Sequence, residues 1–156
     1  FCSGDSNNME NLMMAKLTST WSSEVFETSW VSGRRVPPIS DVRPIQFSIE
    51  FCGELNEDNT ILEWGDIQEI QKSLENQFQD KTIIRDDSNR LKSHSSYFKG
   101  GVREVRVMPS TSIERFAEWA FHQINSLIKT RTKSRVEVLS AKCFDGSRNH
   151  ATYSRI

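Results

Sequence analysis

Apolar and polar residues alternate with a period of two along residues 43–52, RPIQFSIEFC. This alternation predicts a half-buried strand, because successive side chains of a strand point to opposite faces of the sheet. The predicted buried face consists of Ile45, Phe47, Ile49 and Phe51.

Other segments have weaker strand patterns. Residues 16–31 predict an earlier strand, with Phe26, Thr28 and Trp30 on one face if the segment is extended. The turn-forming stretch GELNEDNT predicts a hairpin that leads from the first alternating segment into the strand TILEW. VREVRVM favours a short strand, RVEVLSAKCF favours the last strand, and the polar stretch between residues 80 and 101 predicts a loop.

Two segments have the spacing of three and four that is typical of an amphipathic helix. The first is WGDIQEIQKSLENQFQ, with Ile67, Ile70, Leu74 and Phe78 on one face. The second begins at TSIERF, where Thr111 and Glu114 predict a capping box. Its predicted buried stripe comprises Phe116, Ala117, Ala120, Phe121, Ile124, Leu127 and Ile128.

The order of these elements predicts an α+β fold, with two helices on one face of an antiparallel sheet. The Ser/Asn-rich residues 1–14 predict a flexible N-terminal segment, and residues 15–156 predict a single domain.

Composition excludes some classes of function. The formal net charge of -1 provides no basic field, so nucleic acid is not an expected partner. No apolar run reaches the roughly 20 residues of a membrane span, and no basic-then-apolar leader pattern precedes residue 15. Three cysteines without regular spacing predict reduced thiols and a cytoplasmic location.

Several motifs together resemble the 6-pyruvoyl-tetrahydropterin synthase and 6-carboxy-tetrahydropterin synthase family. They are ILEWGDIQEIQ, QDKTIIR, TSIERFAEW and VEVLSAKCFDGSRNHATY, in the family's order and spacing. The resemblance implies the tunnelling fold, a four-stranded antiparallel sheet backed by two helices, with a long insert here before the second helix. It also implies a homo-oligomer, a trimer or hexamer, in which subunits join their sheets into a barrel.

The resemblance also shows where this chain departs from the family, which binds zinc through one His and a His-x-His pair. Those positions fall on Trp30, Arg43 and Ile45, and none of these side chains can replace a neutral imidazole. No His precedes His94, so a shift in alignment cannot restore the three ligands. We therefore expect no metal and no cofactor.

Other family positions differ as well. The segment 31–42 lacks the family's catalytic Cys, and its catalytic His falls on Lys81, after a retained Asp80. The Glu that anchors the pterin ring falls on Ser140, which cannot make both charge-assisted bonds. Arg43, Lys81, Ser140 and His150 are the speculative ligand-binding residues, and no catalytic residue is assigned.

Some residues have a second interpretation besides a plain structural one. Arg34 and Arg35, with Arg43 nearby, fit an anion site or a solvated loop. The basic run 129–135 fits a helix C-terminus better than a nucleic-acid surface. His94, His122 and Cys52 are weak functional candidates, and the insert 86–108 is a candidate partner surface.

The resulting hypothesis is a non-enzymatic binding or assembly protein that keeps the fold, without zinc. The alternative is a lyase or synthase of the tetrahydropterin or queuosine-precursor pathway, acting on a pterin or purine-like substrate. A weaker alternative is a relative that reduces a nitrile or opens a guanine ring.

Overall fold

The computed structural model describes residues 17–30, 42–85, 104–146 and 148–155. The predicted flexible segment 1–14 lies outside these ranges, as does most of the insert that was predicted over residues 86–108. Arg34, Arg35 and His94 are outside them too. Neither of the two described helices combines the length and the hydrophobicity that a membrane span requires.

The described residues form one mixed sheet and two helices, and therefore an α+β fold. The strands are β1 (Thr18–Ser22), β2 (Phe26–Trp30), β3 (Arg43–Gly53), β4 (Lys81–Arg85), β5 (Glu104–Met108), β6 (Val136–Asp145) and β7 (Asn149–Ser154). The helices are α1 (Trp64–Phe78) and α2 (Ile113–Arg131).

The sheet has seven strands, so the predicted four-stranded antiparallel sheet is too small. Its order is β5-β4-β2-β3-β6-β7, and β1 pairs with β3 beside β2. Strands β4 and β5 extend it through parallel pairing, β4 with β2 and β5 with β4. The sheet is mixed because these two strands join an otherwise antiparallel set.

Strand β3 lies at the centre of the sheet, and the predicted alternation is confirmed along it. Its four predicted apolar residues are all buried, at 1% exposure or less. The pairing of β3 with β6 shifts register between Glu50 and Phe51. At the end of the strand, a Cβ on Gly53 would lie 2.4 Å from the Arg135 carbonyl oxygen, so only glycine fits without movement of the backbone.

Both predicted helices are present, and each packs an apolar face on the sheet. The predicted capping box at Thr111 and Glu114 is wrong, because Ser112 is the N-cap of α2 and accepts a hydrogen bond from the Arg115 backbone N–H. A capping box occurs instead at α1, between Glu63 and Asp66.

The core between the helices and the sheet is rich in aromatic residues. The Phe78 ring of α1 lies 5.0 Å from the Phe47 ring of β3 and 5.2 Å from the Phe116 ring of α2, measured between centroids. The Trp30 ring lies edge-on to Phe116 at 5.2 Å. These contacts fix the end of β2 against α2, and this positions Trp30 for the site described below.

Three predictions of strands and loops need correction. TILEW is not a strand, because the chain bends at Ile61 and Leu62 and then enters α1. KTIIR, predicted as loop, is β4, and the segment predicted as one strand over residues 16–31 contains both β1 and β2. The stretch NHATYS forms β7, which pairs antiparallel with β6.

The two described cysteines differ in their chemical state. Cys143 is a free, fully buried thiol, and its burial raises the pKa of that thiol well above the ordinary value. Cys52 is disulfide-bonded, so the prediction of reduced thiols is wrong at this residue. Disulfides are uncommon in the cytosol, so the bonded Cys52 argues against the cytoplasmic location, which stays a prediction.

Candidate functional site

Three neighbouring strands have their ends side by side, and these ends carry Trp30, Arg43 and Asp145. This group of residues is called here the arginine cluster. Trp30 ends β2, Arg43 begins β3 and Asp145 ends β6, and these three strands are neighbours. Arg43 lies on the side of β3 that faces the helices, since it is two residues from the buried Ile45.

The Arg43 guanidinium makes contacts with both partners in the arginine cluster. Its central carbon lies 3.9 Å from the centroid of the Trp30 ring, which is a cation–π contact. Its Nη2 donates to the Trp30 carbonyl oxygen at 3.2 Å. Its Nη1 lies 3.5 Å from Asp145 Oδ2. The cation is therefore held on one face by an indole and at one edge by a carboxylate.

The arginine cluster remains partly open to solvent. Trp30 is buried, while the side chains of Arg43 and Asp145 are 34% and 24% exposed. The contacts of Arg43 with described residues use two of the five N–H donors of a guanidinium, and the exposed part of the group can donate to water or a ligand. The chemistry available here is hydrogen-bond donation to an oxygen atom beside a carboxylate acceptor.

Lys81 lies in the same row of the sheet as Arg43. Thr28 of β2 pairs with Arg43 on one side and with Lys81 on the other. Two strand spacings separate the backbones of the two basic residues, roughly 10 Å. The Lys81 ammonium donates to the Gln79 carbonyl oxygen at 3.1 Å and lies 3.9 Å from Glu104 Oε2.

Ser140 and His150 lie on the other face of the sheet, away from the helices. The Ser140 hydroxyl donates to Glu50 Oε1 at 3.3 Å, across the β3–β6 pair. His150 is exposed, and its ring lies 5.1 Å from that of Phe144. Within one chain, the structure therefore separates the four predicted ligand-binding residues into two pairs.

The described residues give no metal-binding group of three or more His, Cys, Asp and Glu side chains. Independently of that, the donor chemistry of Trp30, Arg43 and Ile45 does not fit zinc, because an indole, a guanidinium and a butyl group offer no lone pair for the metal. The Arg43 guanidinium is itself a cation, and it would repel a metal cation at this position. The zinc ion that the resemblance implies therefore does not fit this site.

Sequence reasoning missed two acidic residues of these sites, Asp145 and Glu50. Asp145 precedes a turn at Gly146, and Glu50 reads as an ordinary polar position of β3. Their importance depends on pairing across 102 and 90 residues of chain respectively, and no local pattern reports such pairing.

Two of the other predicted candidates, His122 and Cys52, lie among the described residues, away from the arginine cluster. His122 is exposed on α2, and its ring lies 5.2 Å from that of Tyr153 on β7. Cys52 is buried and disulfide-bonded. Neither residue lies beside the arginine cluster in sequence or register.

A family model described as 6-pyruvoyl tetrahydropterin synthase matches residues 44–155, more than two thirds of the chain. The matched range includes Lys81, Ser140 and His150, and it begins directly after Arg43. A search of curated proteins gave no match.

Solved structures with a similar fold cover nearly the whole chain. An uncharacterized protein from Wolinella succinogenes superposes with a TM-score of 0.67 at 10% identity, over 92% of this chain and 100% of that one. The 6-pyruvoyl tetrahydropterin synthase of Caenorhabditis elegans gives 0.63 at 9% identity, over 92% and 98%. That of Plasmodium vivax gives 0.60 at 12% identity, over 89% and 98%. At these identities the likeness establishes the fold alone.

Proposed function

Because the chain belongs to the 6-pyruvoyl tetrahydropterin synthase family, we propose that it is a binding or assembly protein that keeps the family's fold without its zinc-dependent catalysis. The observation that carries this proposal is the contact of Arg43 with Trp30. These residues stand at two of the positions that the resemblance assigns to zinc ligands.

The contacts of Lys81 also support the proposal that this protein lacks the proton transfer that the family's catalytic His performs. The resemblance puts a catalytic His at this position, and a His at neutral pH can both accept and donate a proton. The Lys81 ammonium instead makes contacts with the Gln79 carbonyl oxygen and with Glu104. An ammonium group has donors but no acceptor, so it cannot serve as a general base in this form.

The assembly part of the proposal rests on open strand edges of the described sheet, where β1, β5 and β7 each have a single described partner. Strand β1 has β3 as its one described partner, and β7 has β6. Both β1 and β6 run antiparallel to β3, and β7 runs antiparallel to β6, so β7 and β3 point the same way. Strand β7 of a second copy can therefore add to β1 as an antiparallel neighbour, and strand directions continue to alternate.

Repetition of this head-to-tail contact closes a ring when the rotation between copies allows it. A ring of this kind also pairs the open edges of β1 and β7, which otherwise favour aggregation, while β5 keeps its open edge. We propose a homo-oligomer on these grounds, with a trimer or hexamer taken from the resemblance.

Glu50 favours the alternative, an enzyme or receptor for a pterin or purine-like molecule. Its carboxylate lies 3.3 Å from the Ser140 hydroxyl, at the position that the resemblance assigns to a ring-anchoring Glu. A carboxylate on the neighbouring strand could accept the hydrogen bonds that Ser140 cannot. A Glu50→Gln variant that loses binding of a pterin would support this alternative.

The deciding experiment measures zinc and turnover on the same purified protein. We expect well under about 0.1 zinc per chain after growth with added zinc, since the site has no ligands. We expect no conversion of dihydroneopterin triphosphate. One zinc per chain, or turnover that a metal chelator abolishes, would refute the proposal.

A further inference from the structure

A groove lies between β1 and α1, and two tryptophans form its apolar part. Trp21 of β1 and Trp64 of α1 line it together with Glu24, Ile67, Gln71 and Glu75. Its volume is about 610 Å³. It is called here the tryptophan groove, and it runs beside the unpaired edge of β1.

Trp64 is the most exposed of the large apolar side chains in the described chain, at 71%. An exposed tryptophan at the rim of a groove is typical of a contact site, because its large ring gains most when a partner covers it. Trp21 is half-buried and packs against the core, so it forms a fixed base for such a contact.

The backbone that carries Trp64 is held firmly. The Glu63 backbone N–H donates to Asp66 Oδ2 at 3.0 Å, which closes the first turn of α1. Gly65 sits beside the Arg131 side chain of α2, where an added Cβ would be 3.4 Å from Nη2. A ring on such a rigid turn loses little conformational entropy when it is buried, which favours binding.

The opposite wall of the tryptophan groove is formed by β1 and its connection to β2. The Gln71 side chain accepts from the Glu24 backbone N–H at 3.4 Å and donates to Glu75 Oε1 at 2.9 Å. The groove thus presents two carboxylates at its rim, and Lys72 is the one basic residue lining it. A partner with weakly basic and aromatic groups would complement it.

An aromatic ring of β7 and an adjacent histidine of α2 in the same chain have these properties. The Tyr153 ring lies 5.0 Å from the Phe121 ring and 5.2 Å from the His122 ring. Tyr153 is paired with the buried Ala141, so it lies on the helix side of the sheet. Trp21 is paired with the buried Ile49 and lies on that side too.

The geometry points to a second copy of this chain as the occupant. If β7 of one copy adds to β1 of another, their helix-side residues become neighbours on one continuous face. We propose that the tryptophan groove receives Tyr153 and His122 of a second copy, with Trp64 as the anchor of the contact. This inference rests on the assembly proposed above.

The first test compares Trp64→Ser with the matched control Leu55→Ser by sedimentation at a series of protein concentrations. Both side chains are exposed, at 71% and 42%, so neither change should prevent folding. We expect Trp64→Ser to raise the dissociation constant of the oligomer at least about tenfold, as for an anchoring tryptophan. Leu55→Ser should leave it unchanged.

The second test mixes two single variants, Trp64→Cys and His122→Cys, and adds a bismaleimide of about 10 Å reach, roughly two strand spacings. We expect a covalent dimer that contains one copy of each variant. Leu55→Cys mixed with His122→Cys is the control and should give none.

The outcomes separate this inference from the assembly itself. A wild-type monomer at micromolar concentration would overturn both. An oligomer that Trp64→Ser leaves intact, and that gives no mixed cross-link, would overturn the groove contact while the assembly stands.

Discussion

Arg131 at the end of α2 donates a hydrogen bond from Nε to Asp66 Oδ1 at 2.8 Å, which ties the last turn of one helix to the first turn of the other. Asp66 is buried at 6% exposure, and its second oxygen accepts from the Glu63 backbone N–H. The hydrogen bond to Asp66 raises the pKa of Arg131, so the guanidinium stays charged. The Asp66 carboxylate thus caps the N-terminus of α1 and links α1 to α2.

Asp66→Ala should therefore destabilise the protein. Loss of the capping hydrogen bond alone should lower the free energy of unfolding by about 1 kcal/mol, and loss of the ion pair should add to this. The measurement is urea unfolding followed by circular dichroism. Glu118→Ala is the control, since Glu118 pairs with Arg115 at the surface and should matter by less than about 0.5 kcal/mol. Equal effects of the two variants would contradict this role of Asp66.

Arg43→Lys should be destabilising although it conserves the charge. A lysine ammonium cannot stack on the Trp30 ring and at the same time donate from a planar fork to Trp30 and Asp145. We expect a loss of about 1 kcal/mol, because the side chain is a third exposed. Arg115→Lys is the matched control, since that exposed arginine has Glu118 as its ion-pair partner among the described residues and should show almost no effect. A fully stable Arg43→Lys variant would show that the arginine cluster contributes little.

Cys143 should make stability fall at alkaline pH. Burial raises the pKa of this thiol in the folded state, so the folded protein keeps its proton after the unfolded chain has lost it. The contribution is therefore complete below about pH 8.5, the ordinary thiol pKa, and decreases above it by up to about 1.4 kcal/mol per pH unit. Urea unfolding at several pH values, for wild type and Cys143→Ala, measures the difference. Parallel curves for the two proteins would contradict this prediction.

Gly53→Ala should be much worse than Gly146→Ala. A Cβ at Gly53 would meet two backbone atoms, the Arg135 oxygen at 2.4 Å and the Val136 Cα at 2.9 Å. These atoms belong to the chain at the start of β6 and cannot rotate away, so we expect a loss above about 2 kcal/mol. Gly146 has a φ of +72° but no neighbour within 4 Å, and alanine there should cost about 1 kcal/mol. Thermal unfolding of the two variants measures the difference in stability. An equal fall in melting temperature for both would contradict the close approach of the Arg135 and Val136 backbone to Gly53.

The sequence predicts β3 and both helices correctly because each has one buried face, and a one-sided pattern survives in the sequence. Strand β4 was missed for the opposite reason. Thr82, Ile83 and Ile84 are all buried, so both of its faces are covered and no alternation remains. Its parallel pairing with β2 also depends on residues more than 50 positions away, which no local signal reports.

The candidate site could be predicted in part. The resemblance placed Arg43 and Lys81 at important positions, and the register then puts both in one row through Thr28. It could not predict that Arg43 would stack on Trp30 or meet Asp145, since these contacts follow from the docking of three strand ends. It also placed Ser140 and His150 in the same list of candidates, although the sheet separates them from Arg43.

The central position of β3 has a consequence for biosynthesis. Its longest pairing is with β6, and the contact of Glu50 with Ser140 spans 90 residues of chain. While a ribosome is still translating the intervening helices, one side of an apolar strand has no partner. The native sheet can then form only after β6 has emerged, so the nascent chain passes through a stage in which chaperone binding competes with aggregation.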